Sequence, residues 1–253
     1  MQPREWAAAL EDRREQRAGE GERFTGYGLL GVRFASGEVL AFHRYTASSI
    51  GPPFTSIWQR SESGRWTVHT NVEPRRSFPR YFGPVLQDAL MDDISVAWLG
   101  PREVSVTARH ARIQLALRLK PSAATRLLTI AAGLLPRPAW RIPVIADALV
   151  SGAARLLRAD GLVLGGRAPA GQYFRVRPRA VWLLEGAAAV INGRDPGPVA
   201  ALPDEVRVGD HVIPGRGLFV SGDVAFQGCP VLPLHPSRDE LLRQVVRGER
   251  AAM

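Results

Sequence analysis

A histidine and a tyrosine share one face of a predicted strand near the start of the chain. Residues 39–47 alternate in the manner of a β-strand, so His43 and Tyr45 point the same way among apolar neighbours. In a cavity closed to water, His43 would act as an acid or base and Tyr45 would donate a hydrogen bond to a bound molecule. The alternative is a solvent-exposed face, or a core histidine whose hydrogen bonds are satisfied within the protein.

Two neighbouring aspartates, Asp92 and Asp93, open the predicted strand over residues 94–98. Adjacent residues on a strand face opposite ways, so the two carboxylates cannot form the facing pair of a glycosidase. One of them would point inward, where aromatic neighbours would raise its pKa and make it a general acid. The alternative is a solvated turn aspartate. The predicted catalytic residues are therefore His43, Tyr45, Asp92 and Asp93.

Aromatic side chains are spread over the predicted strands and the loops between them. Their large flat rings suit the lining of a site for a polyene, a steroid or a polyketide. They fill an ordinary β-core equally well, so the two interpretations stay open. The residues predicted to contact such a ligand are Trp58, Trp66, Tyr81, Trp98, Trp140 and Trp182.

These residues are positioned by a β-rich chain with one helical interruption. Short segments of period two, separated by turns rich in Gly, Pro, Asn and Ser, predict an all-β fold that closes as an antiparallel β-barrel or sandwich. Residues 122–158 are instead apolar and helical and would form a lid at one mouth of the barrel. We expect an N-terminal helix in residues 1–22, the barrel in residues 23–228, and a connector and helix in residues 229–253.

Composition limits the class of protein. The net charge of +9 invites a nucleic-acid interpretation, but Lys120 is the single lysine and the arginines are scattered, so no nucleic-acid partner is expected.

Cys229 is the only cysteine, which excludes an intrachain disulfide. The five histidines are dispersed and no phosphate-binding glycine motif occurs, so neither a metal nor a cofactor is predicted. Residues 1–22 do not resemble a secretory signal, and a cytoplasmic location is expected.

The helical insertion contains an aromatic residue between two cations. Trp140 is flanked by Arg137 and Arg141, an arrangement typical of a membrane interface. The insertion would then touch a bilayer transiently to collect a lipophilic molecule. The alternative is a helix packed across the end of the barrel, with no contact to lipid.

Several turn-and-strand motifs resemble those of a known superfamily. They are FPRYFG at residues 78–83, WLGP at 98–101, GGRAPAGQYF at 165–174 with Trp182, NGRDPGP at 192–198 and GDHVIPGRGLF at 209–219. With these motifs the chain resembles uncharacterised actinobacterial-type proteins of the lipocalin-like superfamily, which includes carotenoid 1,2-hydratase (hydroxyneurosporene synthase) and fungal decalin-forming cyclases. The resemblance covers residues 27–226. It implies a lipocalin-like, calyx-shaped β-barrel and cofactor-free chemistry, or plain binding, on an apolar molecule.

Three functions are compatible with these patterns. The first is a cofactor-independent enzyme that cyclises, hydrates or isomerises a polyene, polyketide or terpenoid-like molecule. The second is a carrier that binds the same hydrophobic small molecule without chemistry. The third is an interaction domain with a solid core and no cavity. The sequence does not predict the oligomeric state.

Overall fold

The computed structural model describes residues 2–12, 20–134, 151–157, 163–200, 205–215 and 217–228. Eleven strands form one sheet, and two more form a separate hairpin. The sheet contains β1 (Glu22–Arg33), β2 (Val39–Ser48), β3 (Phe54–Arg60), β4 (Trp66–Thr70), β5 (Asp88–Met91), β6 (Ile94–Trp98), β7 (Glu103–Ala108), β8 (Ile113–Lys120), β9 (Gly165–Arg167), β10 (Tyr173–Ile191) and β13 (Leu218–Gln227). The hairpin consists of β11 (Arg207–Val208) and β12 (His211–Val212).

Helices are few. They are α1 (Pro3–Asp12), the single turn α2 (Pro79–Phe82) and α3 (Ala123–Leu134), with 3₁₀ turns at Pro74–Arg76 and Gly83–Val85. Residues 151–157 are also helical, so the insertion predicted over 122–158 is helical over residues 123–134 and 151–157 of its described part. The predicted C-terminal connector and helix, residues 229–253, lie outside the described residues.

The strand order shows that the sheet curls round on itself. The order is β5-β4-β3-β2-β1-β13-β10-β8-β7-β6, with β9 added beside β10. The two end strands, β5 and β6, are separated in sequence only by Asp92 and Asp93. Two residues cannot span a flat sheet of this width, so β5 and β6 must lie close together. We call the place where these two end strands meet the seam, and β6 lies near β3 across it. The fold is therefore mostly β and barrel-like.

One strand pair departs from the antiparallel prediction. β5 runs parallel to β4, whereas the other pairs of the sheet are antiparallel. A hairpin can only join antiparallel strands, and the connection here is instead a run of 3₁₀ and helical turns between Pro74 and Val85. We expect a helical turn over residues 85–91 from the sequence, but Asp88–Met91 is a strand because this longer connection returns it to the sheet.

The seam is held by a buried carboxylate. Asp92 accepts hydrogen bonds from the backbone N–H groups of His110 and Ala111, both at 2.8 Å, and its own N–H donates to the carbonyl of Thr70. His110 and Ala111 lie in the turn between β7 and β8, and Thr70 ends β4. Asp92 thus joins the two ends of the sheet where they meet.

The concave side of the sheet is a packed core. Along β8 buried and exposed residues alternate strictly, with Ile113, Leu115, Leu117 and Leu119 pointing inward. Side chains from β1, β2, β3, β6, β7, β10 and β13 join them in one hydrophobic cluster. Helix α1 adds Ala7 and Leu10 to this cluster, so the interior is filled by side chains and a helix.

The outer face of the sheet is covered over about half of its strands. A second hydrophobic cluster lies outside β1–β4, β10 and β13, under the segment that contains α2 and under the β11–β12 hairpin. Helix α3 packs on the outside of β10, further along the same face. Strand β10 is continuous over 19 residues, although Pro178 and Gly186 make the sequence resemble three short strands. Register shifts beside these two residues absorb the breaks as bulges.

Candidate functional site

An apolar cavity of about 200 Å³ lies between the outer face of the sheet and its cover. Its floor is formed by β2, β1, β13 and β10, and its walls by α2 and the β11–β12 hairpin. Gly26 and Gly28 lie in the floor, where the backbone of β2 approaches closely. A Cβ atom on Gly28 would lie 2.8 Å from the Cα of His43, so the backbone of β2 leaves no room for a side chain at this position.

His43 and Tyr45 both line this cavity, as the alternation of β2 predicts. The two rings are stacked, with centroids 6.1 Å apart and planes 20° apart. Phe78 stacks on both, at 6.2 Å from His43 and 4.8 Å from Tyr45. An imidazole and a phenol therefore face one apolar space from a rigid strand, with an aromatic ring against them.

The imidazole of His43 is uncharged at neutral pH, and one of its ring nitrogens makes no hydrogen bond to the described residues. Within the described part of the chain, its buried Nδ1 has no hydrogen-bond partner. Burial lowers the pKa of His43 to about 4, because the cavity stabilises the charged ring less than water does. Burial also raises the pKa of Tyr45, so its hydroxyl keeps its proton at neutral pH. The cavity is therefore lined by one uncharged imidazole and one protonated phenol.

A second histidine, His211, reaches the cavity from β12. Its Nε2 lies 2.9 Å from the carbonyl oxygen of Arg167, and its ring meets the ring of Phe174 edge-on at 4.8 Å. Sequence reasoning missed this residue, because the hairpin that carries it is only two residues long on each side. The available signal is a histidine inside an otherwise apolar segment between two glycine-rich turns.

The predicted aromatic lining divides between the two sides of the sheet. Trp58 and Trp66 line the cavity, and Trp66 Nε1 donates a 2.8 Å hydrogen bond to the carbonyl of Arg207 that fixes the hairpin over the floor. Trp98 and Trp182 lie on the concave side, packed around Phe219. The predicted contact at Trp140 lies outside the described residues.

Tyr81 lies behind the cavity and does not line it. Its ring stacks flat on Phe226, and its hydroxyl donates a 2.5 Å hydrogen bond to the carboxylate of Glu22. Arg80 pairs with the same carboxylate at 2.8 Å. These contacts anchor α2 to the first residue of β1, so Tyr81 supports the wall that carries Phe78.

The two predicted acids lie away from His43. Asp92 is buried at the seam, where it is occupied by backbone N–H groups and lies 3.6 Å from Nδ1 of His69. Asp93 is exposed, and its carbonyl accepts a hydrogen bond from the N–H of Arg109. Neither residue lines the cavity, so the structure brings His43 and Tyr45 together but not the aspartates.

A smaller apolar cavity of about 100 Å³ adjoins the first one. It lies beneath α3 and residues 151–157, against β10 and β13. Four residues line both cavities: Leu30, Val163, Val176 and Val220. The apolar lining of the outer face therefore extends from His43 to the helical insertion, and we call these two neighbouring cavities the apolar path.

The concave side has a polar cavity of about 520 Å³ next to α1. Arg44 reaches it from β2, but Glu11 of α1 binds the guanidinium with two hydrogen bonds of 2.9 Å. The hydroxyl of Tyr27 donates to the same carboxylate at 3.1 Å. The positive charge of Arg44 is thus balanced by Glu11, and these hydrogen bonds hold α1 against the sheet.

The described residues lack a metal-binding cluster and a membrane-spanning helix. They contain no group of three or more His, Cys, Asp and Glu side chains arranged to hold a metal ion. Nor do they include a helix with the length and apolar character needed to span a bilayer.

Comparisons with known proteins give a distant likeness to a solved structure. No protein-family model matches the chain, and no curated protein matches it. Among solved structures, the chain is similar to acetoacetate decarboxylase from Legionella pneumophila subsp. pneumophila str. Philadelphia 1, with a TM-score of 0.42 and 8% sequence identity. The match covers 89% of this chain and 95% of that one. A likeness at this level carries no argument about the site, and the resemblance to carotenoid 1,2-hydratase stays a prediction.

Proposed function

We propose that this protein is a cofactor-independent enzyme that isomerises, cyclises or hydrates an apolar polyene, polyketide or terpenoid-like molecule. Its reaction space is the cavity between the sheet and the β11–β12 hairpin. The observation that carries the proposal is that His43 and Tyr45 both line one apolar cavity from the same face of β2. Buried polar groups are normally hydrogen-bonded, and Nδ1 of His43, at the edge of this cavity, has no such partner among the described residues.

The chemistry follows from two neutral groups held in fixed positions. The imidazole of His43 accepts a proton from a substrate carbon next to a carbonyl, while the hydroxyl of Tyr45 stabilises the charge that develops on the oxygen. Returning the proton to another carbon of the conjugated system completes an isomerisation without a cofactor. The proposal relies on His43 and Tyr45 alone, because Asp92 and Asp93 do not line the cavity.

The size of the cavity favours a narrow substrate. Ligand sites typically enclose about 300–1,000 Å³. The cavity at His43 is about 200 Å³, and the adjoining cavity adds about 100 Å³ beneath α3. A chain-like molecule with one oxygen at His43 and its tail along Leu30 and Val176 fits this path, whereas a rigid polycycle exceeds the first cavity. Such a site lies outside the sheet, so the proposed lipocalin-like relationship would not extend to the position of the ligand.

A non-catalytic carrier is the second candidate, and the lowered pKa of His43 favours it. An imidazole with a pKa of about 4 is a weak base, although it remains a good hydrogen-bond acceptor for a hydroxyl or carboxylic acid. In a carrier, His43 and Tyr45 would only fix the polar end of the ligand. Both candidates require the same cavity and the same class of molecule.

The test begins with native mass spectrometry of the freshly purified protein, followed by solvent extraction of any bound molecule. A defined apolar adduct that His43→Phe retains, together with turnover that this variant loses, supports the enzyme. Unchanged affinity and no turnover in any form supports the carrier. A clean mass that persists with polyene, terpenoid and fatty-acid panels contradicts both candidates.

Tryptophan substitutions locate the ligand. Trp66 lines the cavity and Trp182 lies on the concave side, so they form a matched pair. Energy transfer from tryptophan to a bound conjugated polyene fatty acid should weaken in Trp66→Phe and persist in Trp182→Phe. The opposite pattern would place the ligand inside the barrel and refute the assigned cavity.

A further inference from the structure

Helix α3 has an apolar face with nothing packed against it in the described structure. Leu127, Ile130 and Leu134 follow one another at helical spacing and are 59%, 59% and 78% exposed. The opposite side of the helix is used normally, since Ala124 and Leu128 pack against the hydrophobic cluster outside β10. An ordinary surface helix is polar on its outer side, so α3 is apolar where the fold does not require it.

The same region carries most of the excess positive charge of the protein. Residues 120–158 include six basic residues and one acidic residue, and so account for five of the nine net positive charges. The basic side chains described there, Lys120, Arg126 and Arg155, are exposed. None of these three forms an ion pair with a described carboxylate. An exposed apolar stripe on a helix that also carries the free cation Arg126, with Lys120 and Arg155 exposed in the same region, is the pattern of a surface that binds anionic lipid.

We infer that the outer face of α3 docks on an anionic lipid bilayer. The positive charge of this surface favours an anionic bilayer over a second copy of the chain as the partner. A two-fold dimer through α3 would place each patch against itself and bring Arg126 and Arg155 of both copies together, which is repulsive. Anionic headgroups complement these cations while the acyl region receives Leu127, Ile130 and Leu134.

Docking there would place the membrane beside the apolar path. The smaller cavity lies under α3 and residues 151–157, and it adjoins the cavity at His43 through Leu30 and Val163. A chain-like molecule could leave the bilayer beneath α3 and reach His43 without crossing water. This loading role rests on the proposed function, whereas the docking itself does not depend on what the cavity binds.

The experiment is flotation of the full-length protein with vesicles. Phosphatidylcholine vesicles with and without phosphatidylglycerol are compared, and binding to the anionic vesicles is expected. Ile130→Glu and Leu127→Glu should abolish that binding. Arg126→Gln should weaken it about fivefold, because one basic residue near an anionic surface contributes about that factor, and should not change binding to neutral vesicles.

Two control variants distinguish a loss of membrane docking from a loss of folding and from a loss of ligand binding in the cavity. Leu99→Glu introduces the same change at a leucine that is 68% exposed in the turn between β6 and β7, and it should bind as the unsubstituted protein does. His43→Phe should float normally even if ligand binding fails, so the two proposals are tested apart.

Three results would overturn the inference. The first is an absence of flotation with anionic vesicles. The second is equal flotation of Ile130→Glu and the unsubstituted protein. The third is a dimer in solution that Ile130→Glu converts to a monomer, which would assign α3 to a second copy of the chain.

Discussion

The burial of His43 predicts a measurable pH dependence of stability. The pKa of His43 is about 4 in the folded protein, against 6.5 for the free side chain. Between these values the unfolded chain binds a proton that the folded protein does not, so the free energy of unfolding falls as the pH is lowered. The loss is negligible near neutral pH and is complete below the folded pKa.

The size of the effect follows from the gap between the two pKa values. The full gap of 2.5 units corresponds to about 3.4 kcal/mol. Between about pH 7 and about pH 5 most of the unfolded histidine becomes protonated while the folded one does not, which removes about 2 kcal/mol. His43→Phe keeps a flat ring beside Tyr45 and Phe78 but removes the titrating group. The variant should therefore lose about 2 kcal/mol less stability than the unsubstituted protein over this range.

Urea unfolding at the two pH values measures this difference directly. The contributions of the other titrating groups, including His69, whose pKa is also lowered by burial, cancel when the loss in the variant is subtracted from the loss in the unsubstituted protein. Tyr45→Phe is the matched control, because it changes the same cavity without removing a group that titrates in this range, and it should retain the full pH dependence. Equal losses in His43→Phe and the unsubstituted protein would show that His43 is solvated, and would refute the closed apolar site.

Two further substitutions test the fold around the site. Gly28→Ala should cost at least about 3 kcal/mol, since its Cβ would meet the backbone of β2, whereas Gly186→Ala, with open space around it, should change stability by less than about 1 kcal/mol; urea midpoints compare them. Asp92→Asn should cost about 2–3 kcal/mol, because the seam loses a charged acceptor of two N–H groups, while exposed Asp93→Asn should stay within about 0.5 kcal/mol. Similar thermal midpoints for the two asparagine variants would rule out the seam as described.

Local alternation was sufficient to place the first pair of site residues. Period two is a property of a single strand, so His43 and Tyr45 could be put side by side without knowing the rest of the sheet. The side they face could not be predicted in this way. Val39 and Ala41 are buried under the cover and Leu40 and Phe42 in the concave core, so both faces of β2 appear equally apolar in the sequence.

The remaining errors come from contacts between distant residues. Two of the predicted tryptophans, Trp58 and Trp66, line the cavity, whereas Trp98 and Trp182 lie on the concave side. This difference depends on how the sheet closes, which the pattern of a single strand does not predict. The parallel return of β5 and the use of Asp92 at the seam depend on the same closure. His211 reaches the cavity from a hairpin that Trp66 holds through the carbonyl of Arg207, a contact between residues 141 positions apart.

The position of β13 has a consequence for synthesis of the chain. This last described strand lies between β1 and β10, and pairs Glu22 with Phe226 and Tyr173 with Gln227. Until it leaves the ribosome, β1 and β10 each present an unpaired edge, a common starting point for aggregation. The centre of the sheet and the floor of the cavity are therefore completed only after residues 218–227 have been synthesised. Nascent chains stalled before residue 218 should accordingly be captured by chaperones, whereas chains that include β13 should not.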